Sequence, residues 1–330
     1  MSAARTEVLA DAAAAAAASV RGPRLWSELV HHPGVIFGGV ILLLMVAIAI
    51  LAPVLGTMNP ATIDPTHRNQ LPGSEWTTGA GGEIVWTAWM GTDTLGRDLY
   101  SRVIYGARVS LLVGATVAAL SIAVGLVIGL VSGYVRWLDA IVMRIMDGLM
   151  AIPAILLAIG LVSLWGGGLL TVIIAIAIPE IPRVVRLVRA IVLQIREEPY
   201  VEAAVSVGTP VPLILIRHVL PNTIAPLIVQ GTYVCASAIL VEAILSFLGA
   251  GIPPEIPTWG NIMAEGRVLF QVYPHNILFP GIFLALTVLA VNVLGDGLRD
   301  TLDPRMASGS DPDASQGAGH RGSGSAIAPA

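Results

Sequence analysis

Apolar residues in this chain fall in long uninterrupted runs, not in the alternations or 3.6-residue stripes of a soluble fold. The first run is Val35 to Leu55. At 1.5 Å per residue, about 21 residues reach roughly 30 Å, the thickness of a bilayer's hydrocarbon core. The second, Val109 to Gly133, carries the small residues Gly114, Gly125 and Gly129. The third, Gly148 to Trp165, ends at Gly166-Gly167-Gly168. The fourth begins at Leu169 and loses its purely apolar character near Pro182. There Arg183, Arg186 and Arg189 recur every third residue among Val, Leu and Ile, which predicts a helix leaving the membrane with one basic face. The fifth run is Ile224 to Ala250 and the sixth is Ile277 to Leu298. The pattern predicts an all-α polytopic membrane protein with six transmembrane helices.

The polar intervals divide the chain further. Residues 1–33 read as a cytoplasmic tail with some helix, because the apolar stretch starts too late for a cleavable signal peptide. Residues 34–106 hold the first span and a long extracytoplasmic loop with Trp76, Trp86 and Trp89, 107–305 the main transmembrane domain, and 306–330 a disordered Gly/Ser/Pro/Asp-rich cytoplasmic tail. Arginine placement sets the orientation. With the N-terminus inside, Arg5, Arg21, Arg24, Arg136, Arg144, Arg183, Arg186, Arg189, Arg196, Arg217, Arg299, Arg305 and Arg321 are cytoplasmic. Only Arg68, Arg97, Arg102, Arg108 and Arg267 are outside, and all but Arg267 lie in the long loop or at its exit. Both termini are therefore expected in the cytoplasm.

Composition agrees with lipid as the solvent. Hydrophobic residues make up 55% and charged residues 12%, with a mean hydropathy of +0.80, against about a quarter charged in soluble domains. A net charge of −4 gives no pull toward nucleic acid. Cys235, the single cysteine, sits in an apolar run and reads as a small buried side chain. His31, His32, His67, His218, His275 and His320 make no metal-ligand spacing with one another or with the cysteine, so no metal site is expected.

The most informative polar segment is Tyr200 to Asn222, YVEAAVSVGTPVPLILIRHVLPN, on the cytoplasmic side between the fourth and fifth spans. Glu202-Ala203-Ala204 opens a short helix whose alanines allow close approach. Gly208 permits a positive-φ turn between two short helices. Val211, Leu213 and their neighbours to Ile216 form an apolar patch too short to span, closed by Arg217, His218, Leu220 and Pro221. These features suit a docking element and an amphipathic helix lying on lipid equally well.

This segment resembles the cytoplasmic EAA loop of ABC importer permeases. The likeness carries Glu202, Ala203, Ala204, Gly208, Leu220 and Pro221 onto the family's loop, which in that family docks into a cleft of the ATPase subunit. MGTDTLGRDLYSRVIYGARVSL (Met90 to Leu111), EAILSFLGAGIPPEIPTWGNIMAEGR (Glu242 to Arg267) and GDGLRDTLDPR (Gly295 to Arg305) are similar to blocks of the dipeptide, oligopeptide and nickel permeases, the last two to their C-type subunit. Residues 30–306 share the likeness, which departs at Pro179-Glu180-Ile181-Pro182 and in both tails. It implies a type I ABC importer permease with cytoplasmic coupling helices, in a bacterial inner membrane. The implied partners are a B-type permease, two ATPase subunits or one fused ATPase, an extracytoplasmic binding protein and the lipid bilayer. ATP and magnesium would be bound by the ATPases. The implied cargo is a di- or oligopeptide, with nickel chelates, glutathione and haem-like ligands as alternatives.

Several charges stand apart from that loop. Glu242, placed near the outer end of the fifth span, is expected to meet water or another subunit, with a role on the substrate pathway as the alternative for it and for Asp93, Arg97 and Asp98. Asp93, Arg97 and Asp98 are expected to form a hydrogen-bonded cluster in the outer loop. Arg144 and Asp147, three residues apart, are expected to pair with each other. Asp296, Arg299, Asp300 and Asp303 form a solvated inner end of the sixth span. A stand-alone secondary transporter would need ionisable residues deep in its spans, and the first three runs hold none. A membrane enzyme would need a convergent catalytic set, and none is present in the sequence. GTDTLGRD lacks the Gly-Lys-Ser/Thr ending of a phosphate loop, and no such ending occurs elsewhere. The isolated chain is therefore expected to show no saturable nucleotide binding and no ATP hydrolysis, measured by equilibrium dialysis and phosphate release.

Overall fold

A computed structural model describes residues 29–78 and 83–302. Both tails, with Arg5, Arg21, Arg24, Asp303, Arg305, His320 and Arg321, lie outside the described residues. The elements are α1 (Pro33–Leu51), β1 (Ser74–Thr78), β2 (Glu83–Ala88), α2 (Leu99–Tyr134), α3 (Arg136–Ala151), α4 (Ala154–Trp165), α5 (Leu169–Arg196), α6 (Pro199–Ser206), α7 (Val211–Ile214), α8 (Leu220–Phe247), α9 (Trp259–Gly266) and α10 (His275–Leu302).

Among the described residues, four helical stretches are long and apolar enough to cross a membrane: Pro33–Val54, Leu99–Tyr134, Val211–Phe247 and His275–Leu302. The expected third span is not one helix. The chain bends by 90° between α3 and α4. Pro153 lacks an N–H and biases the residue before it away from helical geometry; Ile152 is extended, at φ −92° and ψ 129°. Counting the bent pair as one span gives five. The fourth run continues without a break into its arginines, so α5 is a 28-residue helix with Pro179 and Pro182 inside it. The outer loop is not purely irregular either, as the all-α expectation required. SEWTT and EIVWTA are rich in the β-branched and aromatic residues that favour strands and pair as an antiparallel hairpin with a register shift between Trp76 and Thr77.

The helices are held by small residues. Lipid removes the hydrophobic advantage of helix pairing, so association relies on close packing. On α2, Gly125, Gly129 and Gly133 repeat every fourth residue and receive Val184, Val188 and Val192 of α5, all fully buried. A Cβ at these glycines would lie 2.6, 2.7 and 2.8 Å from the Cβ of the facing valine. Elsewhere α1 packs on α10, and α8 packs on α2, α5 and α10. The outward face of α1 is apolar, with Val40, Leu43 and Ile50 exposed.

Gly129→Val is expected to lower the thermal midpoint in detergent by the equivalent of about 1–3 kcal/mol, the usual cost of overpacking. Gly39 is the matching control: a Cβ there would meet nothing within 4 Å, so valine should be tolerated. Recovery of the midpoint by adding Val188→Ala would tie the loss to this contact.

Candidate functional site

The Tyr200–Asn222 segment is built as two short helices around a glycine turn. α6 starts at Pro199, whose missing N–H costs nothing in a first turn. It ends in a Schellman motif: Gly208 N–H donates to Val205 O at 2.9 Å and Thr209 N–H to Ala204 O at 3.0 Å. Gly208 has φ +85° and open space around it, so a side chain there would strain the backbone without clashing. Pro210 then caps α7, and a wide π-type turn over Leu215–Val219 feeds directly into α8. The loop is anchored from below by Val201, Ile214 and Val219, all buried. Tyr200 lies against His218, ring centres 6.0 Å apart. Its outer surface is apolar and open: Val207 is 86% exposed and Ile216 63%, with Val205, Val211 and Leu213 also exposed. Glu202, Ala203, Arg217 and Pro221 are exposed beside them, while Ala204 and Leu220 are half-buried. Glu202 also borders a cavity of about 420 Å³ shared with Arg136, Asp139 and Arg196.

At the other end Asp93, Arg97, Arg102 and Glu265 form one ion network. Asp93 Oδ2 accepts from Arg97 Nε at 2.6 Å and from Arg102 Nη1 at 2.5 Å. Glu265 Oε2, on α9, accepts from Arg102 Nη1 at 2.6 Å and from Arg97 Nη2. The other Asp93 oxygen accepts from the backbone of Leu95 and Arg97 at 2.8 and 2.9 Å. Asp93, Arg97 and Arg102 are all buried. Asp98 takes no part in the network; it caps α2 by accepting from Ser101 N–H at 2.8 Å. Burial pushes the Asp98 carboxyl up, against the hydrogen bonds from Ser101.

Glu242 departs from expectation. It is fully buried, so water does not reach it in this chain. α8 turns it inward, where its Oε1 accepts from Ser246 Oγ at 2.8 Å. A second buried carboxylate, Glu180 of α5, accepts from Arg183 Nη1 at 3.0 Å and from Ser237 Oγ of α8 at 3.0 Å. Asp147 does not pair with Arg144: the α3–α4 bend brings it to Arg186 of α5, 2.5 Å away. Arg189 likewise pairs with Asp139 of α3. Among the described residues, no group of three His, Cys, Asp or Glu could hold a metal ion.

Comparison with known proteins places this geometry. Residues 121–308 match the model of the binding-protein-dependent transport system inner membrane component family, and residues 24–72 match the N-terminal transmembrane domain of oligopeptide transport permease C. The chain belongs to this family of inner membrane transport components. As a C-type ABC importer permease it is 54% identical to a probable peptide ABC transporter permease protein of Sinorhizobium fredii, over 83% of this chain and 90% of that one. It is 42% identical to the dipeptide transport system permease protein DppC of Alkalihalophilus pseudofirmus, over 86% and 90%. With the glutathione transport system permease protein GsiD of Pectobacterium atrosepticum the identity is 37%, over 88% and 94%. A solved structure of the MetNI methionine ABC transporter, inward facing, shares the fold at a TM-score of 0.50 and 18% identity, covering 61% of this chain and 97% of that one.

Sequence reasoning did not single out Arg102, Glu265 or Glu180 in the permease. Arg102 and Glu265 lie in the two blocks that carry the family likeness outside the membrane, and opposite charges in two such blocks are a signal that they meet. Glu180 stood in the Pro-Glu-Ile-Pro departure, where a turn was more plausible than a helix.

Removing Asp93 strands two buried guanidinium groups on one remaining carboxylate, a loss of about 3–5 kcal/mol for a broken buried pair. Asp93→Ala is expected to speed amide hydrogen exchange at Leu95 and Arg97 markedly, whereas Asp64→Ala, at a half-buried carboxylate that caps the Pro65–His67 turn outside the network, should leave those amides slow. Unchanged protection in Asp93→Ala would show that the network does not hold this segment.

Proposed function

We propose that this permease spans the membrane six times with both termini in the cytoplasm, and that α6, the Gly208 turn and α7 dock onto an ATPase subunit. Four stretches and the bent pair account for five crossings. The sixth is α5, whose first ten residues are apolar except for Thr171 and whose Arg183, Arg186 and Arg189 all have carboxylate partners on α3 or within α5 itself. The arginine distribution supports the orientation. The observation that carries the docking role is the open apolar surface of Val205, Val207, Leu213 and Ile216 around Glu202, on a rigid loop between two long helices. Such a patch on a short, fixed element fits a protein groove.

The same reading extends to the assembly. A B-type permease completes the transmembrane pair, two ATPases or one fused ATPase bind ATP and magnesium, and an extracytoplasmic binding protein delivers cargo. This subunit is non-catalytic and holds no cofactor. The cargo we propose is a di- or oligopeptide, supported by the names of the relatives with the highest identities given above. Glutathione, itself a small peptide, is the second reading, supported by the Pectobacterium relative.

Glu202→Ala and Gly208→Val test the docking role. The glycine change forces a β-branched residue toward positive φ, at about 1–2 kcal/mol, so α6 and α7 would re-orient. Both variants are expected to insert normally and to retain several-fold less ATPase on co-purification, while Leu43→Ala on the lipid face of α1 should retain all of it. Full retention and full uptake in both variants would instead describe a passive helix lying on lipid.

A further inference from the structure

The exposed face of α5, turned away from the valine–glycine seam, carries Arg183. Its side chain is 51% exposed, whereas that of its partner Glu180 is 3% exposed. Both contacts to Glu180 are made by Nη1. A guanidinium has five N–H donors in a planar fork, so most of this fork faces outward. Glu180 is fixed from behind by Ser237, and the cation is held in place.

The position is deep. Glu180 lies about 17 Å along α5 from Leu169, and Ser237 about 15 Å along α8 from Phe247, each roughly half a 30 Å hydrocarbon core. Directly toward the cytoplasm opens a groove of about 510 Å³ between α5, α8 and α10, lined by Leu187, Ala225, Val229, Gln230, Tyr233 and Arg299. Leu187 is one turn from Arg183, and Tyr233 one turn from Ser237. The Tyr233 hydroxyl donates to Asp296 of α10. Arg183 itself lies about 21 Å along α5 from Leu169, still within a 30 Å core, where a half-exposed guanidinium is costly against lipid and marks a watery cavity. The contrast with α1, whose exposed face is aliphatic, is direct.

We propose that the α5–α8–α10 groove is a water-filled wall of the translocation pathway and that Arg183 is its contact for the carboxylate of the passing substrate. The planar fork matches a carboxylate, and a peptide brings one at its C-terminus; that choice of ligand rests on the peptide reading above. Arg186 and Arg189 are engaged by Asp147 and Asp139 of α3, and Arg299, which lines the same groove, lies at Tyr233 beside Asp296; Arg183, one turn from the groove residue Leu187, is backed only by a carboxylate buried behind it.

The test uses the assembled importer with its partner subunits, in inside-out vesicles at low salt. Cys235→Ala removes the native thiol, and Leu187→Cys or Gln230→Cys places one in the groove. Membrane-impermeant methanethiosulfonates, one anionic and one cationic, then report both access and field. Leu187 is about 6 Å along the helix from Arg183, inside a Debye length of about 10 Å. Both reagents should react, the anionic one about threefold or more faster after correction for free-thiol rates. Arg183→Gln should lower that ratio at Leu187→Cys about twofold or more, the remainder coming from Arg299 in the same groove, and Arg183→Lys should keep most of it. Absence of labelling from water, or cross-linking of these positions to the partner permease, would make the groove a subunit interface and overturn the proposal. A ratio indifferent to Arg183→Gln would overturn the carboxylate contact. Labelling needs no substrate, so a failure of the same vesicles, preloaded with binding protein and dipeptide, to release the dipeptide when ATP is added outside would count against the peptide reading alone.

Discussion

The seam in which Val184, Val188 and Val192 enter the space over Gly125, Gly129 and Gly133 fixes the rotation of α5 about its own axis. With these valines facing α2, the remaining faces of α5 are determined. Arg186 and Arg189 fall toward α3, Glu180 toward Ser237 of α8, and Arg183 outward. A larger residue at any of the three glycines would turn or push away the helix that carries all four of these charges. Packing at one interface thus decides the electrostatics of another.

The outer end is secured by a different force. Two buried arginines and two carboxylates bring together the start of α2, the loop before it and α9. Trp259 adds to this by burying its ring completely and donating Nε1–H to Val103 O of α2 at 3.1 Å. Charge pairing of this kind adds little net stability over apolar packing, but its hydrogen bonds admit one geometry. The loop Ile252–Ile256 is held in the same manner, by three carbonyls accepting from the Asn261 amide.

What could be read from the chain follows from how local the cause was. Runs of aliphatic residues are a local signal, so α1, α2, α8 and α10 were legible. The Gly208 turn was legible because only a residue without Cβ adopts its φ freely. The bend at Pro153 was written in the chain but lay inside an apolar run, where hydropathy hides it. Glu242 looked interfacial by distance along a helix; its Ser246 partner is a local i,i+4 neighbour, but the burial comes from the elements packed around α8, which no local spacing reveals. The partners of Asp147 and Asp139 are a full helix away in sequence, and no spacing rule reaches that far.

The wide turn over Leu215–Val219 has a mechanical consequence. It joins α7 to α8 without a break, so Val211–Phe247 is a single 37-residue rod. At 1.5 Å per residue the rod is about 55 Å long. Rocking it by about 5° about its Val211 tip would sweep the Phe247 tip through about 5 Å, the length of one helical turn. A tilt at the loop would therefore carry through to the part of α8 that holds Ser237 and Glu242, with any bending concentrated at the π-type turn and at Pro226.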